Sequence, residues 1–168
     1  DLGLRLARQG GGVAMIPPPT MEAPPEAFGV WLGQRSRWLK GFVQTWLVLM
    51  RHPAAAVREM GLAGFVSMQL TLGASILSAI THLPWLVWCV LCLASPGHSL
   101  GLISWGVLLA TYLGGALVAA TVPRRTFALR WKDLLTLPLY WPLQSVAMVR
   151  ALYSLARTPH YWAKTPHG

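Results

Sequence analysis

Residues 60–123 contain no Lys, Arg, Asp or Glu, and no feature of this chain restricts its fold more. A run of that length without charge is far longer than a soluble domain tolerates at its surface, and it exceeds the ~20 residues needed for one helical crossing of a bilayer. The surrounding composition agrees. Charged residues make up 11% of the 168-residue chain, and hydrophobic residues 54%, against roughly 25% charged in soluble domains. The chain is expected to lie in a lipid bilayer.

Charge is distributed on either side of that run. The formal net charge is +9, from 14 basic and 5 acidic residues. Arg5, Arg8, Arg35, Arg37, Lys40, Arg51 and Arg58 precede the apolar block, and Arg124, Arg125, Arg130, Lys132, Arg150, Arg157 and Lys164 follow it. Basic flanks mark the cytoplasmic side of a membrane and its anionic lipid. With both flanks cytoplasmic, the number of crossings between them must be even, and two are expected. Nucleic acid is a poor partner, because no basic soluble domain is present to carry it.

Local signals divide the chain further. Leu2 and Leu6 at i, i+4, with Gly10 as a stop, predict a short helix over 1–9. The run 13–16 suits one buried strand, ended by Pro17, Pro18 and Pro19. A second helix is expected from about Pro25 to Met50, before Pro53, with Trp31, Trp38, Phe42 and Trp46 on one face at headgroup depth. The segment 61–94 is divided by Pro84 and fits either one kinked crossing or a hairpin. The uncharged turn Ser95-Pro96-Gly97-His98-Ser99 leads to the cleanest predicted membrane helix, 100–122, in which Gly114 and Gly115 permit close helix contact. Residues 134–156 carry Pro138, Pro142, Gln144 and Arg150, and are expected as an interfacial or re-entrant helix broken at the prolines.

The residues that can carry chemistry lie at Gln34-Arg35-Ser36-Arg37-Trp38. Gln34, Arg37 and Trp38 stand at i, i+3 and i+4 and so project together from a helix. Arg37 has a planar fork of donors matched to phosphate oxygens, Gln34 adds amide donors, and Trp38 offers a flat surface for a ring. The plainer reading of the same spacing is a snorkelling arginine beside an interfacial tryptophan. Cys89 and Cys92 form C-x-x-C, but in an apolar stretch that offers nothing to stabilise a thiolate, which points to packing. His52, His82, His98, His160 and His167 show no ligand spacing, so no metal site is expected within these residues.

Gln34-Arg35-Ser36-Arg37-Trp38 resembles the Q-x-x-R-W motif of membrane-bound family 2 glycosyltransferases, the group of cellulose, hyaluronan and poly-N-acetylglucosamine synthases. Residues 1–8 (Asp-Leu-Gly-Leu-Arg-Leu-Ala-Arg) look like the segment after that family's T-E-D motif. Thr20-Met21-Glu22-Ala23-Pro24-Pro25 resembles its T-x-E-E-A-P loop, with Ala23 in place of one acidic residue. Trp38-Leu39-Lys40-Gly41-Phe42-Val43-Gln44 resembles the W-x-x-G-x-x-Q continuation, and residues 161–168 resemble the W-x-K-T-x-H-G ending of bacterial members. Gly10-Gly11-Gly12 stand where the family commonly has an aromatic and a basic residue.

The resemblance implies a mainly α fold of polytopic membrane helices and amphipathic interfacial helices, preceded by the C-terminal remnant of an α/β, GT-A-like transferase domain. It implies four regions: the transferase remnant at 1–24, interfacial helices at 25–59, a two-crossing membrane region at 60–123, and a cytoplasmic loop, interfacial helix and gating-like segment at 124–168. Gln34, Arg37 and Lys164 would bind the donor's diphosphate, and Trp38 the acceptor sugar. Tyr161, Trp162, Lys164 and Thr165 would belong to a loop that closes over the nucleotide sugar. For Lys164 the plainer reading is a tail lysine at the surface.

The implied activity is inverting hexosyl transfer from a nucleotide-diphosphate sugar to a glycan or lipid acceptor, in polysaccharide synthesis at the cytoplasmic face of a bacterial inner membrane. The catalytic base and the ligands for a divalent metal (Mg or Mn) would precede Asp1, which would stand two positions after the base. No initiator Met and no signal-peptide pattern occur at Asp1, so the chain is expected to be the C-terminal part of a longer protein. A rival expectation is a non-enzymatic membrane channel or scaffold that keeps a degenerate transferase tail. Intact acidic motifs upstream would distinguish the two.

Overall fold

A computed structural model describes residues 2–14, 24–97, 99–121 and 131–162. The fold is mainly α: six α-helices and one π-helical turn, with no strand among the described residues. The helices are α1 (Leu2–Arg8), α2 (Phe28–Leu49), α3 (Pro53–Met68), α4 (Ala74–Ala94), α5 (Leu102–Thr121) and α6 (Trp131–Arg157), and the π turn is Gln69–Gly73. Two compact units result. The first comprises Asp1–Leu77 and Ala147–Gly168, and the second Ser78–Val146.

In the first unit, α1 ends as its glycines dictate. Gly10 adopts φ +80°, its N–H bonds the Ala7 carbonyl at 3.1 Å, and the Gly11 N–H bonds the Leu6 carbonyl at 2.8 Å. This is the paired closure that satisfies a helix's last carbonyls, and it needs a residue at ease with positive φ. Arg5 and Arg8 occupy the last turn, where cations suit the negative end of the dipole. Val13 and Ala14 have no regular structure. The rest of the expected strand lies outside the described residues, and no α/β remnant is seen among those described.

Helix α2 begins at Phe28 rather than Pro25. Ala27 is extended (φ −93°, ψ 135°) and its carbonyl receives the Trp31 N–H at 3.0 Å, so the helix starts three residues later than its proline suggests. Its buried residues are Ser36, Leu39, Lys40, Val43 and Leu49. The stripe of Trp31, Trp38, Phe42 and Trp46 is therefore not the buried one: Trp38 is 45% exposed and Phe42 38%. Trp46 instead donates to Gln69 Oε1 at 2.9 Å, and Gln69 Nε2 donates to the Met50 sulfur at 3.3 Å, tying α2 to the π turn.

Pro53 opens α3 at a position where a missing N–H costs nothing. Gly61 then breaks the helix with φ 72° and ψ 165°, and beyond it helix continues through the π turn into α4. This favours the kinked segment over the hairpin. The stretch Pro53–Ala94 is long and apolar enough to cross a membrane. Glu59 and Arg58 lie before Gly61, ahead of the charge-free run. The Arg8 guanidinium bonds the Glu59 carboxylate and joins α1 to α3.

In the second unit, Pro84 lies inside α4 and removes one helical donor. Next to it, the Leu83 N–H donates to Ser145 Oγ of α6 at 3.1 Å. Just before Leu83, the His82 ring bonds the Ser78 carbonyl one turn back at 2.6 Å and stacks on Trp141 with centroids 5.5 Å apart. The expected turn is present, with Gly97 at φ +77°. Helix α5 matches the predicted 100–122 to within two residues at its start and one at its end. Helix α6 runs unbroken through Pro138 and Pro142 for 27 residues, a correction to the expected interruption. The two prolines are spaced one turn apart, so both lost hydrogen bonds fall on one side of the helix and the other side stays intact.

Candidate functional site

The first unit contains a cleft of about 670 Å³ between α2, the last turns of α6 and the strap at 158–162 that follows α6. On the α2 side, Gly29, Gly33, Arg37 and Lys40 recur at spacings of four and three and so share a face. On the α6 side, Arg150, Tyr153, Ser154 and Arg157 do the same. Tyr161 and Trp162 complete the wall from the strap. The lining thus holds four basic side chains and three aromatic rings, and it contains no carboxylate among the described residues.

Helix α2 supplies open space on this side because Gly29 and Gly33 carry no side chain. A Cβ built at either would meet nothing within 4 Å. Gly41 works differently, since a Cβ there would touch the Trp162 ring at 3.4 Å, so the bare backbone seats that indole. On α6 the Arg157 guanidinium stands 5.9 Å from the Tyr153 ring centroid, within range of a cation–π contact.

Lys40 is 3% exposed. Its ammonium donates to Ser154 Oγ at 3.1 Å, to the Thr158 carbonyl at 2.7 Å and to the Tyr161 carbonyl at 2.9 Å. An ammonium has three N–H donors, and here three acceptors receive them. One turn along α2, Gln44 Nε2 donates to the Pro159 carbonyl at 2.9 Å. Three carbonyls of the segment that follows α6 are thus held by two side chains of α2.

Of the residues singled out from sequence, Arg37, Tyr161 and Trp162 line the cleft. Gln34 is half-buried on α2 and Trp38 is exposed, and neither is among the lining residues. The Arg35 guanidinium lies 4.6 Å from the Trp38 ring centroid. Lys164 and Thr165 lie outside the described residues. The sequence reading gave no site role to Lys40, Ser154, Arg150 or Arg157. Their signal was present: Arg150, Tyr153, Ser154 and Arg157 have one-face helical spacing, and Ser36, Lys40 and Gln44 form a polar i, i+4 series inside an apolar helix.

Among the described residues no cluster of three His, Cys, Asp or Glu side chains could hold a metal ion. Against known proteins, no family model matches the chain, and no curated protein and no solved structure matches it.

Proposed function

We propose that this cleft binds the diphosphate of a nucleotide-sugar donor, and that the chain is the C-terminal membrane portion of an inverting glycosyltransferase. One observation carries the reading: Arg37 shares a cleft with Arg150 and Arg157, among Tyr153, Tyr161 and Trp162. Cationic forks suit phosphate oxygens, and aromatic faces suit a flat base or a sugar ring. The Q-x-x-R-W resemblance supports the same ligand from independent features of the sequence.

In the proposed reaction an acceptor hydroxyl, deprotonated by a carboxylate base, attacks the anomeric carbon of the donor. The new glycosidic C–O bond forms as the bond to the diphosphate breaks, and the nucleoside diphosphate leaves with the electron pair. Arginine donors fixed near the departing oxygens stabilise the charge that develops there, each charge-assisted hydrogen bond contributing about 1.5–3 kcal/mol. The base and the divalent metal belong to the upstream domain that the resemblance implies. Neither is supplied by the described residues, and the part assigned to this chain is to hold and neutralise the diphosphate. Trp38, exposed on the adjacent face of α2, is proposed to meet the acceptor sugar, and Gln34 to assist Arg37.

The proposed setting is a bacterial inner membrane, with the cleft on the cytoplasmic side and two crossings in 60–123. Labelling of single cysteines at Ser99 and Thr165 should occur from opposite sides, and same-side labelling would refute two crossings. The activity is tested by assaying membranes that hold the whole protein for transfer of labelled hexose from a panel of nucleotide sugars. Transfer that is lost in Arg37→Ala at equal membrane level supports the reading. Absence of transfer from every donor, together with absence of upstream acidic motifs, would favour a non-enzymatic module.

A further inference from the structure

Lys40 lines the cleft, yet its three N–H donors are directed to Ser154 Oγ and to the carbonyls of Thr158 and Tyr161. With that donor set engaged, Lys40 has no proton left for a phosphate oxygen. Two of its acceptors belong to the chain beyond the last residue of α6, Arg157. Gln44 takes the Pro159 carbonyl between them, and Trp162 rests on the bare backbone of Gly41. Positions 40, 41 and 44 of α2 therefore hold successive points of one strap. Among the described residues the strap's local backbone hydrogen bonds run from the Thr158 N–H to the Ser154 carbonyl and from the Tyr161 N–H to the Thr158 carbonyl.

The geometry points to Lys40 as a positioning residue: a latch, with Gln44 and Gly41, that sets the strap at 158–162 as the closing wall of the cleft. Lys40 touches no ligand in this role. It acts by placing Tyr161 and Trp162 in the lining of the cleft that also holds Arg37. A helix-capping lysine would need only acceptors from the last turn of α6. The bonds to the Tyr161 and Pro159 carbonyls reach past that turn and fix the segment that bears the rings. This inference rests on the diphosphate reading for the identity of the ligand, but the latch itself does not depend on it.

The test uses the full chain in lipid nanodiscs, with Lys40→Met and Gln44→Ala beside the unchanged protein. Hydrogen exchange is followed at the amides of Thr158 and Tyr161 and in the body of α6, and uridine diphosphate is the binding probe. Gln44→Ala alters a bond at the surface, so it reports even if Lys40→Met does not fold. Exchange in the strap should rise in both variants while α6 stays protected. Uridine diphosphate affinity should fall about tenfold or more in Lys40→Met and roughly two- to fivefold in Gln44→Ala. Unchanged strap exchange in both variants would overturn the latch. So would a loosened strap with unchanged affinity, because the strap would then not serve the cleft. If the unchanged protein binds no uridine diphosphate, the diphosphate reading fails, and strap exchange alone decides the latch.

Discussion

The Lys40 ammonium donates to the Thr158 carbonyl at 2.7 Å, joining positions 118 residues apart in the chain. The bond connects the helix that carries Arg37 to the end of the helix that carries Arg150 and Arg157. A cleft with basic walls on two helices needs such a tie, because like charges facing one another repel. A buried cation directed at neutral oxygens holds the walls together without neutralising them.

Gly33 gives the first prediction. A Cβ at this position meets open space on the cleft side of α2. Gly33→Ala should raise stability by up to about 1 kcal/mol through helix propensity and leave ligand binding intact. Gly33→Phe should fold equally well but fill the cavity and abolish binding. Thermal melting in detergent and nucleotide titration of both variants provide the check. Binding by Gly33→Phe at unchanged affinity would place the ligand elsewhere.

Gly61 gives the second. At φ 72° and ψ 165° it occupies a region essentially reserved for glycine. No neighbouring atom crowds the position, so the cost of a side chain comes from the backbone alone. Gly61→Ala should destabilise the fold by about 1–3 kcal/mol, whereas Gly64→Ala, which needs no special backbone but presses on Met60 Cβ at 3.2 Å, should cost less. Denaturant unfolding compares them. Equal stability of the two variants would mean that the break at Gly61 is not required.

What was legible in the sequence follows from where local chemistry decides the outcome. Gly10 ended α1 and Pro53 began α3 because backbone permissiveness acts within a few residues. The charge-free run reached the membrane reading by composition. Pro138 and Pro142 misled, since whether a proline breaks a helix depends on what the surroundings require of it. In the sequence Lys40 is one basic residue among many, since lysine is almost never fully buried. Its acceptors lie more than a hundred residues away, and no local pattern could name them. Arg37 stands out in the sequence by its fork, its helix spacing and the motif it resembles, and it lines the cleft. Arg150 and Arg157 had no such motif, and only folding brought them to the same cleft.

The Arg8–Glu59 bond gives a pH dependence. The guanidinium, chiefly through its hydrogen bond, holds the Glu59 carboxyl below its ordinary value. The folded state therefore binds fewer protons than the unfolded state near that range. The contribution is present above the unfolded carboxylate pKa of about 4.3 and is lost as pH falls through the lower folded value. Protection of α1 amides, corrected for intrinsic exchange, should weaken on acidification below about pH 4. Glu59→Gln should already show the weakened state at neutral pH. Equal α1 protection in both proteins at pH 7 would mean that the pair does not hold α1.

Arg37 is proposed to bind a diphosphate in this cleft, and equilibrium titration of the chain in nanodiscs with uridine diphosphate and uridine is the decisive measurement. The diphosphate should bind, and uridine far more weakly. Arg37→Lys should lose nearly as much affinity as Arg37→Ala, roughly ten- to a hundredfold, because lysine keeps the charge but not the two-pronged fork. Arg8→Lys, on α1 and outside the cleft lining, should bind as the unchanged protein does. Full affinity retained by both Arg37 variants would rule out a diphosphate role for Arg37 and leave it as a membrane-surface anchor.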